Sequence, residues 1–96
     1  MDDIIFNEIK KAFASKFESF ELTKKPLYLE VRFQSFNEGE WFYNNICYPE
    51  DIKREDYPVD CILSMTPLDG EGVILDAKYF IAFKVDNKNK LIQMLS

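Results

Sequence analysis

The spacing of apolar residues changes once along this chain, and that change determines the fold class it can adopt. From Ile5 to Phe17 large apolar side chains recur every four residues, which predicts an amphipathic helix over residues 3–20. After Pro26 apolar and polar residues alternate, first over 27–33, and alternation is typical of a half-buried strand. A helix followed by a run of strands predicts an α+β domain.

The chain after the helix predicts a curved antiparallel sheet of about five strands, with the helix packed across one face. The predicted strands are 27–33, 41–48, 59–65, 79–85 and 90–95, with a short extension at 73–75. The predicted turns between them are 37–40, 67–70 and 86–89. Residues 49–58 are expected to form a loop or a single helical turn. The length predicts one domain, 1–96.

The residue types present exclude much of the common site chemistry. The sequence has no histidine, which removes the commonest general base and the commonest transition-metal ligand. Gly70 and Gly72 lack the third glycine of a dinucleotide-binding loop, and residues 86–90 place lysines where calcium ligands belong. We therefore expect no cofactor, no metal site and no enzymatic activity. A small carboxylate-based enzyme that uses Glu30 or Asp60 is the least favoured alternative.

The cysteines and the N-terminus both bear on the compartment. The chain begins Met-Asp-Asp, which is acidic where a secretory signal is basic, and no apolar run approaches the length of a membrane span. We therefore expect a cytoplasmic protein in which Cys47 and Cys61 are free thiols. Cys61 lies on an alternating apolar face, which favours core packing over reactivity.

The net charge of −5 lies entirely within residues 37–60, here called the acidic segment. The segment carries seven carboxylates against Lys53 and Arg54, whereas residues 1–36 and 61–96 are each balanced. It also carries five large aromatic residues. Carboxylates beside aromatic rings suit recognition of a basic protein surface, because charge steers the encounter and rings supply buried area. The same charge argues against direct binding to nucleic acid.

These observations predict a small acidic inhibitor that blocks a basic, nucleic-acid-acting enzyme, of the toxin-immunity or phage anti-defence type. The residues expected to bind that partner are Glu38, Glu40, Trp41, Tyr43, Glu50, Asp51, Glu55, Asp56 and Tyr57. Burial of the aromatic residues is the competing interpretation. Trp41, Phe42 and Tyr43 are consecutive, so they cannot all share one face of a strand.

The alternative function is a non-enzymatic homodimeric binding module. Several apolar residues make the second sheet face less polar than a face exposed to water, namely Phe36, Phe42, Ile62, Phe80 and Ala82. The predicted last strand would also offer residues 91–95 as an edge for pairing with another strand. Either feature could join two copies of the chain.

Overall fold

A computed structural model describes residues 1–67 and 77–96, which form three α-helices and one four-stranded antiparallel sheet. The helices are α1 (Asp3–Lys16), α2 (Phe36–Phe42) and α3 (Lys88–Leu95). The strands are β1 (Phe20–Lys24), β2 (Leu29–Phe33), β3 (Val59–Met65) and β4 (Tyr79–Val85), in the order β1-β2-β4-β3. A π-helical turn, Tyr43–Cys47, continues α2, and a 3-10 turn, Arg54–Asp56, follows. The α+β class and the N-terminal helix are confirmed, but the described sheet has four strands rather than five.

Helix α1 forms where the four-residue spacing predicts it, but it is shorter than expected. Asp2 begins it by accepting a hydrogen bond on Oδ1 from the backbone N–H of Ile5 at 2.9 Å. The helix ends at Lys16, because the backbone at Phe17 is already extended and its ring is buried in the core. The residues beyond it form β1 against β2, so the end of the predicted helix belongs to the sheet.

The three strands β2, β3 and β4 form within the predicted segments 27–33, 59–65 and 79–85, but only β2 alternates strictly in burial. Strand β4 is central and pairs antiparallel with β2 on one side and with β3 on the other. Its residues Ile81 and Phe83 are fully buried and face the helices, opposite Val31 and Leu29 of β2. The predicted extension at 73–75 and the predicted turn at 67–70, apart from its first residue, lie outside the described residues.

The predicted turn at 37–40 and the predicted strand at 41–48 are wrong, because the acidic segment begins in a helix. Ser35 caps α2, and its Oγ accepts a hydrogen bond from the backbone N–H of Glu38 at 3.3 Å. The consecutive aromatic residues that follow are therefore spread around a helix, and only Phe42 is fully buried. Aromatic residues favour strands only weakly, and here packing against the sheet prevails over that preference.

The predicted turn at 86–89 and the predicted strand at 90–95 are also wrong, because both belong to α3. Asn87 caps this helix, and its Oδ1 accepts a hydrogen bond from the backbone N–H of Lys90 at 3.1 Å. Leu91 and Leu95 are spaced four apart and both are buried, while α3 packs against α1. Residues 91–95 therefore offer no strand edge to a partner.

An aromatic cluster joins the helices to the sheet. The ring centre of Phe13 lies 5.6 Å from that of Phe17, 5.3 Å from that of Phe42 and 6.2 Å from that of Phe83. Tilted and offset ring pairs of this kind contribute about 0.5–1.5 kcal/mol each beyond the area they bury. The cluster therefore fixes α2, and with it the start of the acidic segment, over the middle of the sheet.

The second sheet face is apolar at its β3–β4 end. Phe80 and Ala82 lie on this face and are buried, and the guanidinium of Arg32 lies 5.6 Å from the ring centre of Phe80. Strand β3 is at the edge of the sheet, with an irregular register between Cys61 and Leu63. Its exposed apolar residues are Ile62, Leu63 and Met65. Phe42, expected on this face, lies in the core with the helices instead.

Candidate functional site

Two of the seven carboxylates in the acidic segment bind groups of this chain. Glu38 accepts hydrogen bonds from the backbone N–H of Glu18 at 2.9 Å and of Ser19 at 3.4 Å, which ties α2 to the α1–β1 connection. Asp60 accepts a hydrogen bond from Nη2 of Arg54 at 2.9 Å, and this bond raises the pKa of the guanidinium. Both carboxylates therefore have partners within the chain, including Glu38, which was predicted to bind a partner protein.

The other five carboxylates are exposed, and none has a hydrogen-bond or ion-pair partner among the described residues. They are Glu40, Glu50, Asp51, Glu55 and Asp56. Glu40 projects from α2, and the other four project from the loop 48–58. The same loop carries Lys53 and Arg54, so its side chains bring four acids against two bases.

Glu50 and Asp51 lie at a cleft of about 440 Å³, here called the acidic cleft. It is lined by Asn44, Asn45, Pro49, Glu50, Asp51, Ile52 and Met94. Asn44 and Asn45 lie in the π-helical turn. The buried Pro49 follows, at the start of the loop that carries Glu50 and Asp51. Met94 comes from the last turn of α3, whose C-terminal end carries the negative end of a helix dipole.

The lining of the acidic cleft suits a lysine or arginine side chain. Ile52 and Met94 offer apolar surface to the aliphatic stem, and the carboxylates offer charged acceptors to the head group. Asn45 is held in place because its Nδ2 donates a hydrogen bond to the backbone oxygen of Trp41 at 2.9 Å. Glu40 lies one helical turn before Asn44, on the same face of the helix.

The structure does not bring every predicted acid to the cleft. Glu55 and Asp56 lie in the 3-10 turn of the same loop, where both are exposed but neither lines the cleft. They add negative charge near the cleft without shaping it.

Two of the predicted aromatic anchors already have partners within the chain. Trp41 packs against the ring of Phe17, with centres 5.9 Å apart, and Nζ of Lys16 lies 4.1 Å from the indole centre. The hydroxyl of Tyr57 donates a hydrogen bond to the backbone oxygen of Pro49 at 3.3 Å, and Arg54 stacks on its ring. Both rings are partly buried, so they stabilise the site from within the chain and offer little surface to a partner protein.

The third predicted anchor, Tyr43, belongs to a row of tyrosines beside the π-helical turn. Its ring centre lies 4.9 Å from that of Tyr48 and 6.2 Å from that of the buried Tyr79. Tyr48 remains 45% exposed, so it offers the most accessible ring of this row. Tyr48 is one of the five aromatic residues of the acidic segment, but it was expected at the end of a strand and was not among the expected binding residues.

The two cysteines are free thiols on neighbouring elements. Cys47 is buried in the π-helical turn, and Cys61 is half-buried on β3, which packs against that turn. Interaction with the Cys47 thiol lowers the pKa of Cys61 to about 7, and interaction with the Tyr48 hydroxyl acts in the same direction. The same interaction raises the pKa of Cys47, and the charge of the Cys61 thiolate raises the pKa of Tyr48.

The remaining sequence-based candidates find no further support in the described ranges. Glu30 lies 3.9 Å from the ammonium of Lys25, and no acidic side chain is buried among residues 1–67 and 77–96. Within those ranges no group of three or more cysteine, aspartate or glutamate side chains is placed to share a metal ion. None of the described helices combines the length and apolar character needed to cross a bilayer.

Comparisons with protein-family models, with curated proteins and with solved structures gave no match for this chain. The cleft residues that the sequence did not indicate are Asn44, Asn45, Pro49, Ile52 and Met94. Met94 lies far from the acidic segment along the chain and was expected on a strand, so no local pattern could have placed it there.

Proposed function

We propose that this protein is a non-enzymatic inhibitor that binds a basic protein partner, a toxin or a nucleic-acid-processing enzyme, through the acidic cleft. The observation that carries the proposal is the exposure of five carboxylates without cationic partners in the described part of the chain. Two of them, Glu50 and Asp51, stand in a cleft whose other lining residues suit the stem of a cationic side chain.

Binding would place one lysine or arginine of the partner in the acidic cleft. Its aliphatic stem would pack on Ile52 and Met94, and its charged head would bind the carboxylates of Glu50 and Asp51. Enzymes that act on nucleic acids carry such cations because their substrates are polyanions. A carboxylate that occupies these cations competes directly with phosphate, which is how binding would become inhibition.

The surroundings of the cleft would strengthen and steer this contact. Glu40 on α2 and Glu55 and Asp56 in the 3-10 turn add to the negative field, which accelerates encounters with a cationic surface at low salt. Tyr48 supplies an exposed ring of the kind that often contributes most to an interface. In this arrangement Trp41, Tyr43 and Tyr57 support the binding surface from within the chain.

The test is affinity capture from the source cells, with three forms of the full chain as bait. The forms are the wild type, the cleft variant E50Q/D51N and the control variant E18Q/E21Q, which removes the same charge from exposed positions elsewhere. We expect a basic protein whose activity the wild type inhibits. Its affinity should fall at least about tenfold for the cleft variant and little for the control.

Salt dependence, together with the two double variants, distinguishes binding through the acidic cleft from attraction by net charge alone. The association rate of the purified pair should fall as salt rises, because the field that steers the encounter is screened. Equal weakening by both double variants would mean that only total charge matters. Unchanged binding by E50Q/D51N would remove the acidic cleft from the interface.

A second candidate function is self-association through β3. It is favoured by Ile62 and Leu63, which are 51% and 46% exposed on a strand at the edge of the described sheet. Light scattering distinguishes it from the inhibitor, which we expect to be a monomer without its partner. A dimer that Ile62→Lys dissociates and E50Q/D51N leaves intact would favour self-association.

A further inference from the structure

We propose that a second cleft, at the N-terminal end of α3, binds a single-chain amphiphile with an anionic head, such as a medium-chain fatty carboxylate. The cleft has a volume of about 590 Å³ and is here called the lysine cleft. Lys88, the first residue of α3, lines it, whereas Met94 in the last turn of α3 lines the acidic cleft. The two clefts therefore lie at opposite ends of one helix, and the proposal does not depend on the inhibitory function.

The first support is the charge of the lining. Lys25, Lys84 and Lys88 line the lysine cleft, and Asp86 is the one acid among the described residues that line it. The lining is therefore cationic in a protein whose net charge is −5. The protein as a whole repels anions, so an anion that binds here must be held by this local group of cations.

Lys84 has the greatest capacity to bind an anionic head group. It is exposed on β4 and has no ion-pair or hydrogen-bond partner within residues 1–67 and 77–96. Asp60 is paired with Lys84 across β3 and β4, but its carboxylate accepts its hydrogen bond from Arg54. The charge of Lys84 is therefore available to a ligand.

The other two lysines have acidic neighbours but keep donors for a ligand. Nζ of Lys88 donates a hydrogen bond to Oε2 of Glu8 at 3.2 Å, and Nζ of Lys25 lies 3.9 Å from Oε1 of Glu30. An ammonium group has three N–H donors, so one carboxylate does not use them all. Both lysines can therefore add to the attraction that Lys84 exerts on the head group.

The second support is the apolar surface in the same lining. Ile5 of α1, Leu29 of β2 and Val85 of β4 line the cleft beside Pro26 and Leu27 of the β1–β2 connection. Leu27 is 78% exposed, so a hydrocarbon tail that covers it removes apolar surface from water. Small-molecule pockets have volumes of about 300–1,000 Å³ and combine apolar walls with a few polar groups. The lysine cleft has both properties, which favours an amphiphile over a wholly polar anion.

The surroundings favour one small ligand over an anionic membrane surface. Asp2, Asp3 and Glu8 are exposed at the start of α1, next to the segment that lines the cleft. Membranes with anionic lipids attract extended basic surfaces, and these acids interrupt such a surface. The excess positive charge is confined to the lining, where it matches a single head group.

The test is titration of the full chain with sodium decanoate below its micelle concentration, followed by backbone amide NMR. We expect saturable shifts at 25–29, at 84–88 and at the start of α1, with a Kd below about 1 mM. The variant K25Q/K84Q should bind at least about tenfold more weakly, whereas K10Q/K11Q, which removes two exposed lysines of α1 outside the lining, should bind like the wild type. Leu27→Ser should weaken binding severalfold without lowering the unfolding midpoint, because Leu27 is exposed.

Two further ligands separate the head from the tail. Octanoate is two methylenes shorter than decanoate and should bind at least about fivefold more weakly. Octanol keeps the shorter tail without the charge and should bind at least about tenfold more weakly than octanoate.

The proposal would be overturned by decanoate shifts that do not saturate or that lie outside the cleft. Equal weakening by K10Q/K11Q, or octanol binding as tight as that of octanoate, would likewise remove recognition of the head group by the cleft lysines. Sedimentation with phosphatidylglycerol vesicles, without any binding of decanoate, would replace the small ligand with a membrane surface.

Discussion

Replacing Gly39 with alanine is a sharp test of how α2 sits on the sheet. In an isolated helix this change would stabilise the helical state by about 0.5–1 kcal/mol, because glycine loses more backbone entropy on folding. Here the added methyl group would lie 2.8 Å from Cδ2 of Tyr79, and closer still to its Cβ and Cγ. Carbon atoms in good contact are about 3.5–4.0 Å apart, so the methyl has no room.

The size of the destabilisation depends on which part of the structure can move to make room for the methyl group. Tyr79 lies on the central strand β4 and is paired with Phe33 of β2, so its Cβ cannot withdraw. Helix α2 must therefore shift away from the sheet, which loosens the fully buried ring of Phe42 one turn later. Overpacking of this kind costs about 1–3 kcal/mol. After the helix gain is subtracted, Gly39→Ala should destabilise the fold by about 1–2 kcal/mol.

The assay is urea unfolding followed by circular dichroism, with Asn37→Ala as the control in the same helix. Asn37 is exposed, so its replacement should change stability by less than about 0.5 kcal/mol. Gly39→Ala should lower the midpoint with an unchanged slope, and lower the Tm by roughly 4–16 °C. A Gly39→Ala variant as stable as the wild type would refute the close approach of α2 to β4.

Two other predictions test different parts of the fold. Asn87→Ala removes the cap of α3 and should cost about 1 kcal/mol of unfolding free energy by urea denaturation, whereas no loss would argue against the helix. In the reduced protein the pKa of Cys61 is lower in the folded state than in the unfolded state. The unfolded chain therefore binds more protons, and the free energy of unfolding should rise from about pH 7 toward pH 8.5. Cys47, whose folded pKa is raised, should reverse this trend at higher pH, and denaturation of C61S should show no rise.

The elements that could be predicted from local spacing are those with long, regular patterns. The four-residue spacing of α1 and the large apolar residues at every second position of 79–85 each point to one structure. The segments 41–48 and 90–95 are short apolar runs, which fit a helix or a strand equally well. Asn87 compounded the second error, because asparagine is common in turns and also caps helices.

The candidate site was predictable in charge but not in geometry. The concentration of acids in 37–60 is visible along the chain, and most of them are exposed. Glu38 could not be separated from the others, because its hydrogen-bond donors lie about twenty residues away at Glu18 and Ser19. The contribution of Met94 to the cleft could not be predicted either, because residues 90–95 were expected to form a strand and not α3.

Chain order alone established the α+β class, the N-terminal helix and the anionic character of one segment, because periodicity and charge are properties of neighbouring residues. Folding in three dimensions determined which carboxylates bind the chain itself, and that Glu50 and Asp51 share a cleft with α3. These are contacts between distant residues, and they depend on how α2, α3 and the sheet pack. Packing selects among local structures of nearly equal energy. For this reason α2 and α3 could be identified only from the tertiary structure.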